Sequence, residues 1–136
     1  MPKLLGIDYG TKRVGLAITD DLQIVASPLE TVETARIVDH LKNLLSKENI
    51  ELIVLGEPKY PDGNISETTK KVYVFKKELE KLFPNIPVQL EDEMYTSKMA
   101  SETLLSAGIK KSKRKDKSLL DKVSAALILK SYMDKL

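Results

Sequence analysis

The sequence predicts a mixed α/β sheet covered by helices on both faces, and three observations lead there. Three short apolar runs separated by tight turns open the chain. The apolar spacing then changes to a helical period near residue 34. Helical and strand-like segments alternate from that point on.

The elements follow in order. Lys3 to Asp8 is an apolar run closed by Gly10 and reads as a strand. Arg13 to Thr19 is a second strand, followed by the polar turn Asp20-Asp21. Ile24 to Val32 is a third, and its Pro28, which lacks an N–H, suggests an edge position or an irregular end. Three strands joined by short turns make an antiparallel meander. Residues 34 to 48 carry Ile37, Leu41, Leu44 and Leu45 at helical spacing. Ile50 to Leu55 is a β-branched central strand ended by Gly56.

Residues 57 to 63 hold two prolines and an Asp-Gly turn, so they form a loop. Asn64 and Glu67 resemble a capping box for a helix that runs to about Phe83 and stops before Pro84. Val88 to Leu90 form a short strand leading into Glu91-Asp92-Glu93. Thr96 caps a helix through Ser106 with Gly108 as its stop, and residues 118 to 135 form a last long helix. The element order is β-β-β-α-β-α-β-α-α, a five-stranded sheet in one domain spanning residues 1 to 136.

Composition narrows the chemistry. There is no cysteine and a single histidine, His40, so thiolate, Ser-His-Asp and multi-histidine zinc chemistry within one chain are excluded. His40 falls on the polar side of its helix and reads as solvated. No apolar stretch approaches the ~18 residues of a membrane span. The N-terminus lacks a signal-peptide pattern, so the expectation is a cytoplasmic protein with no membrane partner. The net charge is only +2, but residues 110 to 117 carry six basic residues and one acid.

Three segments carry the candidate chemistry. In G-I-D-Y-G-T-K-R, residues 6 to 13, Asp8 ends a strand, Gly6 lets another backbone approach closely, and Thr11, Lys12 and Arg13 are placed to meet a phosphate. The alternative is a tight hairpin with an ordinary turn aspartate. In E-D-E-M-Y-T-S, residues 91 to 97, three adjacent acids repel one another unless a cation offsets them, and Glu93 lies nearest the following helix; otherwise they are a solvated turn.

In D-K-S-L-L-D-K-V-S-A-A-L, residues 116 to 127, Asp121 falls in the first turn of the last helix, where Ser124, Ala125 and Ala126 let that helix lie close to the sheet. The alternatives there are a dipole-favoured carboxylate or a Ser118–Asp121 capping box. Carboxylates from three separate elements converging at one sheet edge fit a one- or two-metal phosphodiesterase site. The basic run, Lys110, Lys111, Lys113, Arg114, Lys115 and Lys117, sits where a polyanion would approach or forms a solvated loop. Tyr9, Tyr60 and Tyr95 are placed to stack on bases or to pack, and Glu57 is a further possible ligand.

Taken together, G-I-D-Y-G-T-K-R-V-G-L-A-I-T-D at 6 to 20, G-E-P-x-x-x-D-G at 56 to 63, E-D-E-M-Y-T-S-K-M-A at 91 to 100 and K-S-L-L-D-K-V-S-A-A-L-I-L at 117 to 129 resemble the YqgF family. The resemblance covers essentially the whole chain. It implies an RNase H-like fold and a Mg²⁺- or Mn²⁺-dependent nuclease acting on structured RNA or branched DNA. It further implies a role at the 5′ end of precursor 16S rRNA, with precursor 30S particles as partners.

By the same resemblance Asp8, Glu93 and Asp121 are the catalytic metal-binding acids. Lys12, Arg13, Lys98 and the 110–117 run are the nucleic-acid contacts. Met94 stands where the family's third motif has arginine, so a phosphate contact there is missing or falls to Lys98; Glu57 stands where leucine is common, so no role is inherited. Other readings stay open: a Holliday-junction resolvase, a non-catalytic RNA-binding assembly factor, or an ATPase of the actin and Hsp70 type, whose first phosphate motif resembles G-I-D-Y-G-T. Either a monomer or a homodimer is compatible with the sequence.

Overall fold

The computed structural model describes residues 2–60, 62–93 and 117–136. Strands β1 (Lys3–Tyr9), β2 (Arg13–Thr19) and β3 (Ala26–Glu33) come first. A 3-10 turn at Thr34–Arg36 leads into α1 (Ile37–Lys47), followed by β4 (Ile50–Glu57), α2 (Glu67–Leu82) and β5 (Val88–Asp92). The last helix, here α3, spans Lys117–Met133. The expected helix at 96–106 lies outside the described residues.

The five strands form one mixed sheet in the order β3-β2-β1-β4-β5. The meander β1-β2-β3 is antiparallel, and β4 and β5 add parallel to β1. Pro28 does sit on an edge strand: Leu16 pairs with Glu30 but Ala17 pairs with Pro28, so the ladder skips Leu29 there. Successive side chains alternate between the two faces of the sheet, and helices cover both faces, so there are two cores. Leu5, Ile7, Val14, Leu16, Ile53 and Leu55 face α1 and α2, with Leu41, Val72, Phe75 and Leu79 from those helices. Leu4, Ala17 and Val54 face α3, with Ala125, Ala126, Ile128 and Leu129.

Two local expectations change. The cap of α2 is Ser66, not Asn64. The Ser66 side chain accepts from Thr69 N at 3.2 Å, and Thr69 Oγ1 accepts from Ser66 N at 2.9 Å. Asn64 instead closes the Asp62-Gly63 turn, donating to both Asp62 carboxylate oxygens at 2.9 Å, and Gly63 supplies the positive φ of 88° that turn requires. His40 is half-buried and paired with Glu30 across the α1–β3 gap rather than solvated. The long-range pairing of β3 with the helix behind it creates that partner.

Candidate active site

The sheet's alternation decides which acids can meet. On β1, Leu5 and Ile7 point toward α1 and α2, so Asp8 points the other way, toward α3. On β2, Val14 and Leu16 take the α1–α2 face, leaving Arg13 and Gly15 on the α3 face with Asp8. On β4, Ile53 and Leu55 leave Val54 and Gly56 facing α3. Glu93 follows β5, and its carboxylate lies over Gly56: a Cβ built on Gly56 would stand 2.5 Å from Glu93 Oε2 and 2.6 Å from Ile128 Cδ1. Any side chain at 56 would evict the carboxylate.

α3 brings in the third acid. Gly15 pairs directly with Asp8 across the β1–β2 ladder. A Cβ on Gly15 would lie 2.0 Å from the Asp121 carbonyl oxygen, so backbone meets backbone at this point. A Cβ on Gly6 would lie 2.8 Å from the Ala125 carbonyl oxygen, as the sequence reading of Gly6 and the small Ser124-Ala125-Ala126 run anticipates. Thr31 Oγ1 donates to the Ser118 carbonyl at 2.5 Å, tying the start of the described helix to the edge strand. Because α3 begins at Lys117, Asp121 sits one turn in rather than in the first turn.

Asp8 and Glu93 share a hydrogen bond. Desolvation raises both carboxyls, and the Asp8 charge further penalises ionisation of Glu93. Asp8 is pushed up to about 6, mainly by burial, with the Asp121 charge adding to the rise and the Glu93 hydrogen bond opposing it. Glu93 is pushed up to about 10 by burial first, then by the Asp8 charge and hydrogen bond and by Asp92. Two half-buried carboxyls therefore hold a proton between them at neutral pH.

That arrangement fits a divalent ion. The donors are hard oxygens, two carboxylates are the number Mg²⁺ commonly takes from a protein beside waters and phosphate oxygens, and a dication would replace the shared proton. Among the described residues, no three acid or histidine side chains form one metal-holding group as they stand. Asp121 is close enough to act on Asp8, but its Oδ2 accepts from Arg13 Nε at 2.8 Å.

The other expected residues separate clearly. Glu57 points to the opposite face, where Tyr73 donates to its Oε2 at 2.5 Å and Lys59 lies 3.3 Å from its Oε1; only its backbone carbonyl reaches the site, accepting from Glu93 N at 3.3 Å. Asp92 also has the opposite parity to Glu93, and it is exposed. Glu91 shares the α3 face but is committed elsewhere, accepting from Ser131 Oγ at 2.5 Å and pairing with Lys135 at 2.8 Å. Tyr9 stacks on Phe75 with ring centroids 4.5 Å apart and so packs the core side of the sheet. Tyr60 is exposed.

Lys12 is exposed in the β1–β2 turn, which Thr34 holds from outside. Its Oγ1 donates to the Gly10 carbonyl at 2.7 Å, and its N donates to the Lys12 carbonyl at 3.0 Å. Lys98, Lys110, Lys111, Lys113, Arg114, Lys115 and Tyr95 lie outside the described residues, and Lys117 opens α3. The spacer role of Gly15 and Gly56 is what the sequence reading missed. Its only signal is that both glycines share the strand parity of Asp8 and Glu93, which requires the register to be known.

Comparison with known proteins agrees with this architecture. The RuvX family model, described as Holliday junction resolvase, matches residues 2–135. A protein of Porphyromonas gingivalis is 46% identical over 134 residues, covering 98% of this chain and 97% of its own length. One of Flavobacterium johnsoniae is 42% identical over 133 residues, covering 98% and 96%. Both are described as "Putative pre-16S rRNA nuclease".

Among solved structures, Thermus thermophilus RuvC in complex with a Holliday junction substrate superposes with a TM-score of 0.63 at 19% identity, covering 99% of this chain and 96% of that one. The Fowlpox virus resolvase with junction DNA gives 0.60 at 15%, covering 98% and 97%. These two share the fold. A family match from residue 2 to residue 135, two near-full-length relatives above 40% identity and a RuvC-like RNase H fold together place this chain in the RuvX family, the YqgF family of the sequence resemblance.

Proposed function

We propose that this chain is a divalent-metal-dependent nuclease that hydrolyses phosphodiester bonds in structured nucleic acid, with the 5′ end of precursor 16S rRNA as its principal substrate. The single observation that carries this reading is the contact between Asp8 and Glu93. Two carboxylates, one on β1 and one just past β5, are forced together at the sheet edge, at a cost that a cation would relieve. The family and the descriptions of the relatives support the nuclease chemistry and the RNA substrate.

In this reading Asp8, Glu93 and Asp121 hold Mg²⁺ or Mn²⁺. The bound ion supplies Lewis-acid polarisation of the phosphate and a nucleophilic water at neutral pH. The chain's own residues do the rest. Asp8 and Glu93 fix the ion's place through the rigid strands that carry them. Lys12 and Arg13, on a turn held by Thr34, meet the phosphate backbone without reading sequence, as do Lys98 and the basic residues 110 to 117. The protein works in the cytoplasm as a monomer or homodimer on precursor 30S particles. Among the described residues no helix is long and apolar enough to cross a membrane.

The deciding experiment incubates the purified chain with precursor 16S rRNA and with a four-way DNA junction, in Mn²⁺ and in EDTA. Metal-dependent cleavage of the RNA with the junction spared is the expected outcome. Junction cleavage alone would move the chain to the resolvase reading, favoured by the description of its family. RNA and metal binding without any cleavage would make it an assembly factor.

A further inference from the structure

Arg13 and Asp121 stand on two elements that meet only through the tertiary fold, the first residue of β2 and the second turn of α3. Their Nε–Oδ2 distance is 2.8 Å. Arg13 shares the α3 face with Asp8, and Asp121 adds to the negative field on Asp8. The pair is part-buried but within reach of solvent, with side-chain exposures of 37% and 25%. An ion pair that solvent reaches holds its partners weakly, so a better ligand for either partner displaces it. A phosphate diester is such a ligand for a guanidinium, because it accepts two parallel N–H bonds. A dication is such a ligand for the carboxylate.

We propose that Arg13 is a positioning residue that holds Asp121 away from the Asp8–Glu93 pair until the phosphate backbone of a nucleic acid takes the guanidinium and releases Asp121 to complete the metal site. This rests on the reading of Asp121 as a metal ligand given above. It makes nucleic acid and metal binding mutually reinforcing, since each removes the competitor of the other, and such coupling is reciprocal. It also separates Arg13 from Lys12: the two basic residues are adjacent, but Arg13 carries the contact to a proposed ligand.

The test measures Mn²⁺ affinity of the full chain without nucleic acid, by calorimetry near neutral pH. Wild type is compared with Arg13→Gln, Arg13→Lys, Lys12→Gln and the double variant Arg13→Gln with Asp121→Asn, each checked for folding by thermal melting; Arg13→Met replaces Arg13→Gln if the latter melts early. Arg13→Gln is expected to bind Mn²⁺ about fivefold tighter or more, the lower end of ordinary coupling between sites. Arg13→Lys, which keeps a cation for Asp121, should stay near wild type, and Lys12→Gln should change affinity less than about twofold.

With Ca²⁺ as the ion, a fluorescent RNA hairpin read by anisotropy should gain more affinity in wild type than in Arg13→Gln. Equal or weaker Mn²⁺ binding by Arg13→Gln, or an equal gain from Lys12→Gln, overturns the proposal while leaving Asp121 a ligand. An equal Ca²⁺ gain in both proteins overturns the phosphate-driven release. If the Arg13→Gln gain in Mn²⁺ affinity survives the addition of Asp121→Asn, Asp121 is not the released ligand, which overturns the three-acid site itself and this proposal with it.

Discussion

Asp8 and Gly15 face each other across the β1–β2 ladder, and the space that Gly15 leaves is filled by the Asp121 carbonyl of α3. The same glycine therefore sets the distance between the sheet that carries one acid and the helix that carries another. Gly15→Ala puts a methyl 2.0 Å from that oxygen, too close for any rotamer change to relieve. The helix must move. Overpacking of this kind costs about 1–3 kcal/mol. Chemical denaturation should show that loss, and Mn²⁺ affinity should fall with it. An unchanged denaturation midpoint would mean that α3 does not lie where the backbone contact puts it.

Asp8→Asn keeps the size of the side chain and its hydrogen-bonding reach but removes the charge. Outer-shell partners of metal ligands are worth 10–100-fold, so loss of a ligand itself should lower cleavage by more than about a hundredfold. The variant should fold at least as well as wild type without metal, because the crowding with Glu93 is gone. Undiminished Mn²⁺-dependent cleavage by a folded Asp8→Asn protein is the result that removes Asp8 from the site.

Stability should depend on pH in a direction opposite to that of a salt-bridged acid. Asp8 and Glu93 are both raised, to about 6 and about 10, so the folded state binds protons that the unfolded chain has already released. Their contribution is therefore fully present below the ordinary carboxylate range near pH 4. It is lost as pH rises through 6 and on toward 10, by at most about 1.4 kcal/mol per pH unit for each retained proton. Urea unfolding in EDTA across that range should show stability falling with pH, Glu93→Gln should flatten the fall, and Mg²⁺ should oppose it. A metal-free profile identical in wild type and Glu93→Gln would mean that no proton is shared.

Glu57 ends β4 and Glu93 follows the neighbouring β5, yet only one should matter to metal. Glu57→Gln should leave Mn²⁺ affinity within about twofold and lower stability modestly, about 0.5–1.5 kcal/mol for a weakened hydrogen bond from Tyr73. Glu93→Gln should weaken Mn²⁺ binding strongly. Calorimetry on the two variants side by side decides the matter, and equal losses would show that the two faces of the sheet are not separated as their parity requires.

The sequence by itself determined the order of the described elements and Asp8 as an acid at the end of the first strand. These are written in local signals: alternation along a strand, helical spacing from Ile37, and glycines and prolines that stop each run. It also placed Asp121 on a helix with a small-residue face, without saying what that face touches. The cap at Ser66 was missed because Asn64 has a stronger local partner in Asp62, a competition between two turns a few residues apart.

What only the tertiary structure decided is the partnership of residues far apart in the chain. Strand register puts Gly15 opposite Asp8 and turns Glu57 away from Glu93, and helix docking sets Asp121 against Arg13, 108 positions earlier in the chain. Register and docking are fixed by burying both faces of one sheet at once. A one-residue slip would exchange every inward and outward side chain, so the site's membership is a property of the packed core and not of any segment.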